Sequence, residues 1–253
     1  MLFQEKDAAV RAALAAGKIQ MNYFRQNPKT EIKEDGSPVT IADQLSEKKI
    51  LEILKYEFPL HGFLAEESGE TNSSAENVWI IDPLDGTKDF VRGLPWFGPL
   101  IALQKKGEIV VGVIHLPYVN ETIWAIKGKG VFIGNKKLQV SKVSSLSQAT
   151  IAQGNLSSFT KRNYLNFLSD LSLKSFHMRT ADNGYGYSYL AQGFLDGLME
   201  AAVKPWDIAA GKIIIEEAGG KVTDFNGVNS IYSGNIIAGN KNIHAELLSL
   251  VKQ

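Results

Sequence analysis

The sequence predicts an α+β fold that passes into α/β along the chain, with sheets and helices in layers. Two amphipathic helical patterns, at residues 5–25 and about 40–56, come before a series of strand patterns joined by short turns. From residue 149 onward, strand and helix patterns alternate, which is typical of layered α/β proteins. We therefore divide the chain into parts 1–145 and 146–253, which we expect to form one compact unit.

In the first part, we expect the two helices to pack against an antiparallel sheet. The second helix stops before Pro59, and the segment "KTEIKEDGSPVT" between the helices is extended and rich in turns. The segment "VWIID" predicts a short buried strand, and "GPLIALQKKGEIVVGVIHLP" predicts two strands joined at Lys106-Gly107. The segment "ETIWAIKGKGVFIGNKKLQV" continues this hairpin pattern.

The second part alternates between the two kinds of element. Strands are predicted at "ATIAQGN", "SFHMRTA", "GLMEAA", "KVTDF" and "IIAGN". Helices are predicted at "KRNYLNFLSDL", "YSYLAQGFL" and "WDIAAGKIIIEEAGG", the last of which is closed by glycine. The isoleucine run between Lys212 and Ala218 is expected to lie in the core.

The composition excludes several classes of function. Lysine plus arginine and aspartate plus glutamate both number 27, so no net basic charge attracts the chain to nucleic acid or to an anionic membrane. The lack of cysteine excludes disulfides and thiolate metal sites. No apolar run approaches the ~18 residues of a membrane span, and charges near the N-terminus interrupt any signal-peptide core. We expect a cytoplasmic protein, with neither a membrane nor a nucleic acid as partner.

Acidic residues stand at the ends of three predicted elements. Glu66-Glu67 follows a short apolar run, Asp82 and Asp85 follow a strand, and Asp207 opens a helix. Side chains at element ends can converge on one cleft while the backbone stays supported. The three clusters are therefore candidates for one shared site.

Each acidic residue also has a purely structural interpretation. Asp85-Gly86 is a common turn dipeptide, and Asp207 could cap its helix by accepting backbone N–H bonds. Asp43 follows Thr40 at the spacing of a capping box. Glu66-Glu67 alone would be a solvated loop. Only the three acidic clusters taken together favour a metal-binding or catalytic site over these structural roles.

The stretch "DPLD" fits a metal–phosphate turn. Mg²⁺ takes oxygen ligands and is usually bound by a few carboxylates plus substrate phosphate, and two ions ~3.5–4 Å apart need a bridging carboxylate. Because proline stiffens the turn, Asp82 could bridge while Asp85 serves one ion and the carbonyl of Leu84 the other. Gly86 permits close backbone approach, and the amides of Gly86 and Thr87 could bind a phosphate oxygen.

Three segments in this order carry a resemblance to a known family. "AEES", "WIIDPLDGTKDF" and "KPWDIAAGKIIIEEAGG" resemble the motifs of the inositol monophosphatase family of Mg²⁺-dependent, lithium-sensitive phosphatases, over nearly the whole chain. The order "SPVTIAD", "DGTKDF", "FGPLIAL" and "RTADNGYGY" is similar to the histidinol-phosphate phosphatase branch. The resemblance implies a layered α-β-α-β-α sandwich, a homodimer, and hydrolysis of inositol monophosphate or histidinol phosphate.

The resemblance also implies metal ligands for two or three Mg²⁺ ions per site. Glu66, Asp82 and the carbonyl of Leu84 would hold the ion that activates water, which makes Glu66 a catalytic residue as well. Asp82, Asp85 and Asp207 would hold the ion that stabilises the leaving oxygen. The first part of the chain thus carries the main metal motifs, and the second part completes the site.

Further roles follow from the same resemblance. Asp43 and Thr87 would orient the attacking water, while Asp85 and the amides of Gly86 and Thr87 would bind the phosphate. Glu200 matches a position that contacts the substrate's hydroxyl groups in inositol phosphatases.

The segment expected to bind the alcohol differs from the sequence patterns of both the inositol phosphatase and the histidinol-phosphate phosphatase branches. Asn183 and Gly184 are candidate substrate-binding residues in the run "TADNGYGY". Asn183 stands where histidinol-phosphate enzymes usually have an acid, and inositol phosphatases usually have a Gly-Thr-Ala-like or Gly-Ser-Ala-like turn. The identity of the alcohol therefore stays open.

Other interpretations were weighed against this one. A 3′-phosphonucleotide or sugar-bisphosphate phosphatase is one alternative, and a non-catalytic relative that binds RNA or protein is another. None of the four histidines lies in the acidic motifs, so a structural or exposed position is favoured for each of them. The run "GYGYSY" lacks the third glycine of a dinucleotide fingerprint. Trp96 and Phe97 could line the site, but packing in the core or at a dimer contact is favoured.

Overall fold

Eight α-helices are present in the computed structural model, which describes residues 2–72 and 74–252. The helices of this described range are α1 (Leu2–Tyr23), α2 (Ile41–Glu57), α3 (Thr87–Val91), α4 (Leu156–Thr160), α5 (Leu165–Lys174), α6 (Asn183–Ala191), α7 (Pro205–Glu217) and α8 (Lys241–Val251). A 3₁₀ turn at Leu146–Gln148 precedes the second part of the chain.

The strands form three sheets. They are β1 (Thr30–Ile32), β2 (Pro38–Thr40), β3 (Gly62–Ala65), β4 (Gly69–Thr71), β5 (Asn77–Asp85), β6 (Gly98–Lys105), β7 (Glu108–Leu116), β8 (Glu121–Ile126), β9 (Gly130–Ile133), β10 (Lys136–Lys137), β11 (Thr150–Gln153), β12 (His177–Thr180), β13 (Gly197–Ala201), β14 (Lys221–Thr223) and β15 (Asn235–Gly239). Strands β1 and β2 pair with each other. An eight-stranded sheet has the order β10-β9-β8-β7-β6-β5-β3-β4, and a five-stranded sheet has the order β12-β11-β13-β15-β14.

The sheets and helices alternate in five layers. Helices α1 and α2 cover one face of the eight-stranded sheet. Helices α6 and α7 lie between the two sheets in the largest core cluster. The third helical layer, which includes α5 and α8, covers the other face of the five-stranded sheet. This order confirms the predicted layered α-β-α-β-α fold class.

Small side chains allow the first helical layer to lie close to its sheet. Helix α1 buries an alanine stripe completely, with no exposed surface on Ala8, Ala9, Ala12, Ala13 or Ala16. Alanine also costs little side-chain entropy in a helix. Helix α1 packs against α2 and strands β6 to β8. The close packing of α1 on α2 thus helps to fix the position of α2, which carries Asp43.

Helix α7 is apolar on nearly all sides because it is enclosed between the sheets. Ile213, Ile214 and Ile215 are almost fully buried, which confirms the core prediction for this run. Lys212 is also buried, and it pairs with Glu216 one turn later. The N-terminus of α7 is consequently held in place at the edge of the core, where Asp207 stands.

The topology corrects the expectation of an antiparallel first sheet. Strands β3 and β5 are parallel, with Gly62 opposite Val78, because β4 and the segment after it return the chain to the end where β3 began. The five-stranded sheet is mixed as well: β11 is parallel to β12 and β13, whereas β15 is antiparallel to β13 and β14. The division of the chain at residue 145 stays a prediction.

Several elements were not predicted. Helices α3 and α4 have five residues each and are too short for a periodic pattern. Strands β3 and β4 are similarly short, and α8 was missed although Ile243, Leu247 and Leu250 form its buried stripe. Helix α6 starts at Asn183, four residues before the predicted segment. Within residues 2–72 and 74–252, no helix has both the length and the hydropathy needed to cross a bilayer.

Candidate active site

A cavity of about 820 Å³ brings the three acidic clusters together. Glu66, Asp82 and Asp85 line it from the first part of the chain, and Asp182, Glu200 and Asp207 line it from the second. We call the part around Glu66, Asp82, Asp85 and Asp207 the inner end. The outer end is the part lined by Asp89, Trp96, Asp182, Tyr185 and Tyr189.

The Asp82–Asp85 turn interrupts the pairing of β5 with β6. Asp82 lies opposite Leu100 and Asp85 opposite Gly98, so β5 contains one residue more than β6 between these two pairs, which is a β-bulge. Bulges re-aim side chains, and here both carboxylates reach the same cavity. Asp82 is 2% exposed, and its Oδ1 accepts a 3.0 Å hydrogen bond from the Leu84 amide.

A buried glutamine from α1 supports the same turn. The Nε2 of Gln20 donates to the Pro83 carbonyl at 2.7 Å, and the Gln20 side chain is fully buried. A buried carbonyl without a partner is costly, so this bond stabilises the turn from below. Sequence analysis missed this residue. The available signal was a glutamine on the alanine face of α1, since a buried polar side chain needs a partner.

Gly86 adopts a conformation that other residues rarely take. Its φ is +88°, and a Cβ at this position would lie 2.3 Å from the Trp96 carbonyl oxygen. Glycine is therefore required by the backbone conformation and by close approach of another protein segment. Gly86 is also the N-cap of α3, so the amides at this end lack helical partners.

Asp43 combines the structural and functional interpretations. Its Oδ2 accepts from the Thr40 amide at 2.8 Å and from the Thr40 hydroxyl at 2.6 Å, which confirms the capping box. Its Oδ1 accepts from the Thr87 hydroxyl at 2.8 Å, and that hydroxyl also lies 2.9 Å from the Leu84 carbonyl. Burial raises the pKa of Asp43, against the hydrogen bonds from Thr40 and Thr87. One residue thus caps α2 and fixes Thr87 at the cavity.

Lys33 connects the β1–β2 ribbon to the acidic pair. Its Nζ lies 2.9 Å from Glu66 Oε1 and 2.6 Å from Glu67 Oε1. Burial opposes the charge on Lys33, but the hydrogen bonds and charges of Glu67 and Glu66 outweigh it and raise its pKa. Burial raises the pKa of Glu67 to about 7. Glu66-Glu67 is therefore no solvated loop, and no local sequence pattern predicts its long-range pairing with Lys33.

Asp207 holds the N-terminus of α7. Its Oδ2 accepts from the Lys204 amide at 2.7 Å, while its own amide donates back to the Lys204 carbonyl at 3.1 Å. The capping interpretation is therefore confirmed, and the side chain lines the cavity at the same time. Burial raises the pKa of Asp207 to about 6.

The inner end concentrates negative charge. Burial, followed by the charges of Glu66, Asp85 and Asp207, raises the pKa of Asp82 well above its ordinary value. Burial and the charges of Asp207, Glu200 and Asp182 do the same for Asp85. Carboxylates that raise one another's pKa in this way form a region that a cation stabilises.

Among the three candidate substrate residues, Glu200 and Gly184 lie beside the inner end, and Asn183 contacts the outer end. Glu200 is 5% exposed, accepts from the Tyr187 hydroxyl at 2.7 Å, and has a pKa that burial raises to about 8. The Gly184 amide donates to Asp85 Oδ2 at 2.6 Å. The Asn183 Nδ2 donates to Asp89 Oδ2 at 3.1 Å and to the Trp96 carbonyl at 3.2 Å.

Comparison with known proteins shows which family has this arrangement of residues. A model of the inositol monophosphatase family matches residues 3–253. The chain belongs to the inositol monophosphatase family. Its relatives include a fructose-1,6-bisphosphatase/inositol-1-monophosphatase from Aquifex aeolicus, which is 36% identical across 98% of this chain and 95% of the relative. Nus factor SuhB from Pasteurella multocida is also 36% identical, across 96% of this chain and 94% of the relative.

The structural likeness covers the whole fold. The solved structure of inositol monophosphatase from Anabaena matches with a TM-score of 0.89 and 34% identity, over 100% of this chain and 96% of that one. The inositol monophosphatase family consists of phosphatases that generally depend on Mg²⁺. Membership therefore supports a phosphatase of this type, which acts on a small phosphorylated substrate.

The oxygen ligands at the inner end suit Mg²⁺, the cation on which the inositol monophosphatase family generally depends. Within residues 2–72 and 74–252, no three acidic or histidine side chains are arranged closely enough to enclose an ion. Glu66 is turned to Lys33, Asp85 to the Gly184 amide and Asp207 to the Lys204 amide. All of these side-chain donors are nevertheless oxygens, and burial and neighbouring charges raise the pKa of Asp82 and Asp85. This donor set fits Mg²⁺.

Two aromatic residues and a glycine-rich run lie near the cavity of this member of the inositol monophosphatase family. Phe97 is buried, as expected. Trp96 is 50% exposed and lines the cavity, which contradicts the core alternative for Trp96, whereas a dimer contact stays a prediction. Trp96 follows a turn rather than a strand, which leaves its ring outside the core. The "GYGYSY" run lies in α6, where Gly184 and Gly186 approach Ile114 and Ala181 closely, and it forms no dinucleotide loop.

The histidines of this chain lie away from the chemistry. His115 Nδ1 lies 2.9 Å from the Thr122 hydroxyl, and His244 Nε2 lies 2.9 Å from the Thr223 hydroxyl. His61 stacks on Phe58, and His177 is exposed on β12. None of the four is among the described residues that line the cavity, in line with the expected structural or exposed positions.

Proposed function

We propose that this protein is a Mg²⁺-dependent phosphomonoesterase that hydrolyses a small phosphorylated alcohol by direct attack of water. The observation that carries the proposal is the convergence of Glu66, Asp82, Asp85 and Asp207 on one cavity, next to the hydrogen-bonded pair of Asp43 and Thr87. The chain has no cysteine, and no histidine lies at the cavity in the described range, so direct attack is favoured over a Cys or His phosphoenzyme.

The proposed metal ligands divide into two sets that share Asp82. Glu66, Asp82 and the Leu84 carbonyl form one set, and Asp82, Asp85 and Asp207 form the other. When bound, two or three Mg²⁺ ions supply the positive charge that activates water and stabilises the phosphate and the leaving oxygen. Lys33 would have to release Glu66 before that carboxylate could serve a metal.

The chain's own groups orient the reactants in this proposal. Asp43 accepts from the Thr87 hydroxyl, which leaves the oxygen lone pairs of Thr87 directed at a water in the cavity. The amides of Gly86 and Thr87 bind a phosphate oxygen at the N-terminus of α3. Glu200, Asn183 and Gly184 contact the alcohol. Hydrogen bonds from Tyr187 to Glu200 and from Gly184 to Asp85 fix this wall in advance.

Inositol monophosphate and histidinol phosphate are the substrates that we propose first. The Aquifex relative's name adds fructose bisphosphate, and a 3′-phosphonucleotide stays as a further alternative. The Pasteurella relative's name, Nus factor SuhB, supports a second candidate function, a binding role for RNA or protein. The complete set of proposed ligands favours catalysis over that role.

The proposal is tested by phosphate release from inositol 1-phosphate, histidinol phosphate, fructose 1,6-bisphosphate and a 3′,5′-bisphosphonucleotide. Each substrate is measured with Mg²⁺, with Mg²⁺ plus about 10 mM lithium, and with chelator, because a resident Mg²⁺ site makes activity chelator-sensitive. We expect Mg²⁺-dependent release with a preference for one alcohol. Equal release with and without chelator would contradict the metal proposal. No release from any substrate would contradict the catalytic proposal and favour the binding role.

A further inference from the structure

The side chain of Asn183 joins segments from both parts of the chain at the cavity. Its Nδ2 donates to Asp89 Oδ2 at 3.1 Å and to the Trp96 carbonyl at 3.2 Å. An asparagine amide nitrogen carries two hydrogens, so both are used inside the protein, and only Oδ1 can still contact the alcohol. Both donors of this side chain therefore serve the protein and not a ligand.

The backbone conformation of Asn183 explains why an asparagine stands at this position. Its φ is +63°. Asparagine enters this left-handed region more readily than most residues other than glycine. Glycine could adopt the same conformation but has no side chain that could bind Asp89. Asparagine thus combines the required conformation with the required donors.

The amide that follows Asn183 reaches the inner end. The Gly184 amide donates to Asp85 Oδ2 at 2.6 Å. Asp182 is the N-cap of α6, but its side chain makes no capping hydrogen bond, so it does not hold the start of this helix. The Asn183 side chain and the Gly184 amide instead join the start of α6 to α3 and to the Asp82–Asp85 turn.

Helix α3 depends on contacts with other elements. It has five residues, fewer than an isolated helix needs to be stable. Phe90 anchors it in a small core cluster, and the Thr87 hydroxyl donates to Asp43 of α2. Asn183 adds the bond to Asp89. Helix α3 is thereby connected to α2 on one side and to α6 on the other.

Gly86 shows how closely these groups are packed. A Cβ on Gly86 would lie 2.9 Å from Asn183 Nδ2 and 2.3 Å from the Trp96 carbonyl oxygen. The Asn183 amide and the carbonyl that it binds therefore pack directly against the residue between Asp85 and Thr87. A shift of either group changes the space available to the backbone of this segment.

The charge of Asp89 strengthens its bond to Asn183. Burial raises the pKa of Asp89, and so does the charge of Asp182, whereas the hydrogen bond from Asn183 lowers it. The bond therefore favours the ionised carboxylate. Hydrogen bonds to an ionised acceptor are shorter and stronger than those between neutral groups.

We propose that Asn183 is a positioning residue, which fixes the Asp85–Thr87 segment of the inner end by joining α6 to α3. The inference rests on the proposed phosphatase function, in which this segment serves the metal and the phosphate. It gives Asn183 a role beyond contact with the alcohol. Loss of the side chain should therefore affect every phosphate ester, whatever its alcohol.

Binding of inorganic phosphate tests the inference, because inorganic phosphate contains no alcohol. It is measured by calorimetry in saturating Mg²⁺, at a concentration set by a Mg²⁺ titration of each variant. Asn183→Gly keeps the left-handed conformation and removes both side-chain bonds. We expect phosphate affinity to fall about tenfold, as it does when other residues that orient metal ligands are lost. The kcat/KM values for inositol 1-phosphate and for methyl phosphate should fall by a common factor.

Asp89→Ala removes one of the two bonds from the side of α3 and tests the inference even if Asn183→Gly does not fold. Removal of a negative charge by itself strengthens the binding of an anion. The positioning role predicts the opposite sign, with phosphate binding about threefold weaker. In the Asp89→Ala background, Asn183→Gly removes only the bond to the Trp96 carbonyl. Its effect there should be about threefold instead of tenfold.

Asn163→Gly is the matched control. Asn163 also has a left-handed conformation, with a φ of +64°, but it is exposed in the connection between α4 and α5. We expect this variant to leave phosphate affinity and both kcat/KM values unchanged. Thermal unfolding of all variants shows how much of each effect is a general loss of stability.

The outcomes separate positioning from the other possible roles of Asn183. Unchanged phosphate affinity in Asn183→Gly overturns the inference: a loss confined to inositol 1-phosphate would then make Asn183 an alcohol ligand alone, and a lower melting temperature would make it a structural residue. Phosphate binding by Asp89→Ala that is unchanged or stronger, or an equal effect of Asn183→Gly in both backgrounds, also overturns it.

Failure of the proposed function gives a different result. If no ester releases phosphate, but Asn183→Gly still weakens the Mg²⁺-dependent binding of inorganic phosphate, the phosphatase proposal is wrong and the positioning role is supported. If the unaltered protein does not bind inorganic phosphate in Mg²⁺, both proposals are overturned.

Discussion

The inner and outer ends of the cavity are built in different ways. At the inner end, the acidic side chains start from elements anchored in the core: Asp82 from β5, Asp43 from α2 and Asp207 from α7. Each also accepts a backbone hydrogen bond that fixes its direction. At the outer end, Trp96 lies on a connecting segment, and both Trp96 and Tyr189 are exposed.

The comparison distinguishes residues that stabilise the fold from residues that are available for substrate recognition. The inner carboxylates double as caps and turn-formers, so the same residues stabilise the backbone and line the site. At the outer end, Asp182 makes no capping hydrogen bond, and Trp96 and Tyr189 keep much of their surface exposed. Chemistry common to many phosphate esters can therefore be fixed by the fold, whereas the alcohol-binding wall can vary.

The largest effect is expected from Asp82→Asn. Turnover should fall about 10³-fold or more, because the variant weakens both proposed metal sets and each lost ion removes several kcal/mol of charge stabilisation. The fold should persist, since the change relieves repulsion with Glu66, Asp85 and Asp207. The measurements are phosphate release and thermal unfolding, each with and without Mg²⁺. The rise in melting temperature that Mg²⁺ gives to the unaltered protein should disappear.

Asp170→Asn provides the control for charge removal on the surface. Near-normal Mg²⁺-dependent turnover in Asp82→Asn would contradict the shared-ligand proposal. Loss of turnover together with loss of the folded state would show that Asp82 is required for the fold, and the contrast between the two ends would then be wrong.

Much of the inner end could be predicted from the sequence because its information is local. The spacing of Asp82, Asp85 and Gly86 after an apolar strand predicted the turn, and the spacing of Thr40 and Asp43 predicted the capping box. Strand and helix periodicity predicted layers of sheets and helices, and the family resemblance implied the five-layer order. Short elements such as α3 and β4 could not be predicted, since five or fewer residues carry no usable period.

The remaining parts of the site depend on contacts between distant segments. Lys33 reaches Glu66, Gln20 reaches Pro83, and Asn183 reaches Asp89 across 33, 63 and 94 residues of chain. No local pattern encodes such pairs. Packing in the core or at a dimer contact was favoured for Trp96 by its residue type, although its position after a turn leaves it exposed at the cavity. The motifs that one segment supplies were therefore predicted, whereas the hydrogen bonds that join distant segments were not.

Gln20→Met tests how strongly the inner end depends on a residue outside the cavity, because Gln20 supports the Asp82–Asp85 turn from α1. The variant keeps the volume but removes the 2.7 Å bond to the Pro83 carbonyl. We expect a stability loss of about 1 kcal/mol, since the buried Gln20 Oε1 has no partner among the described residues and its removal offsets part of the cost. Mg²⁺ affinity should fall about tenfold, as it does when other residues that orient metal ligands are lost. Urea unfolding and Mg²⁺ titration measure the two effects.

Gln4→Met is the matched control, because Gln4 is exposed on the same helix. It should change neither quantity. If Gln20→Met lowered stability by several kcal/mol and left Mg²⁺ affinity intact, Gln20 would be a core residue alone and would have no positioning role.

The smallest effect concerns the stability of the metal-free protein as a function of pH. Burial raises the pKa of Glu200 from 4.5 to about 8, so between these values the folded protein binds a proton that the unfolded chain has released. Stability must then decrease as pH rises through this window, and Glu67, with a pKa of about 7, acts in the same direction. Between pH 7 and 8 we expect a loss of about 1 kcal/mol. Urea unfolding with chelator at each pH measures it.

Two comparisons decide whether the inner carboxylates and their neighbour Glu200 cause this slope. Saturating Mg²⁺ should flatten it, because nearby positive charge favours the ionised carboxylates and lowers their pKa. Glu200→Gln should reduce it even in chelator. His244, whose pKa burial lowers to about 4, acts in the opposite direction but below pH 6.5, outside the measured interval. If the free energy of unfolding still decreased with pH after both changes, carboxylates elsewhere would cause the decrease. The inner end would then hold no more charge repulsion than the outer end.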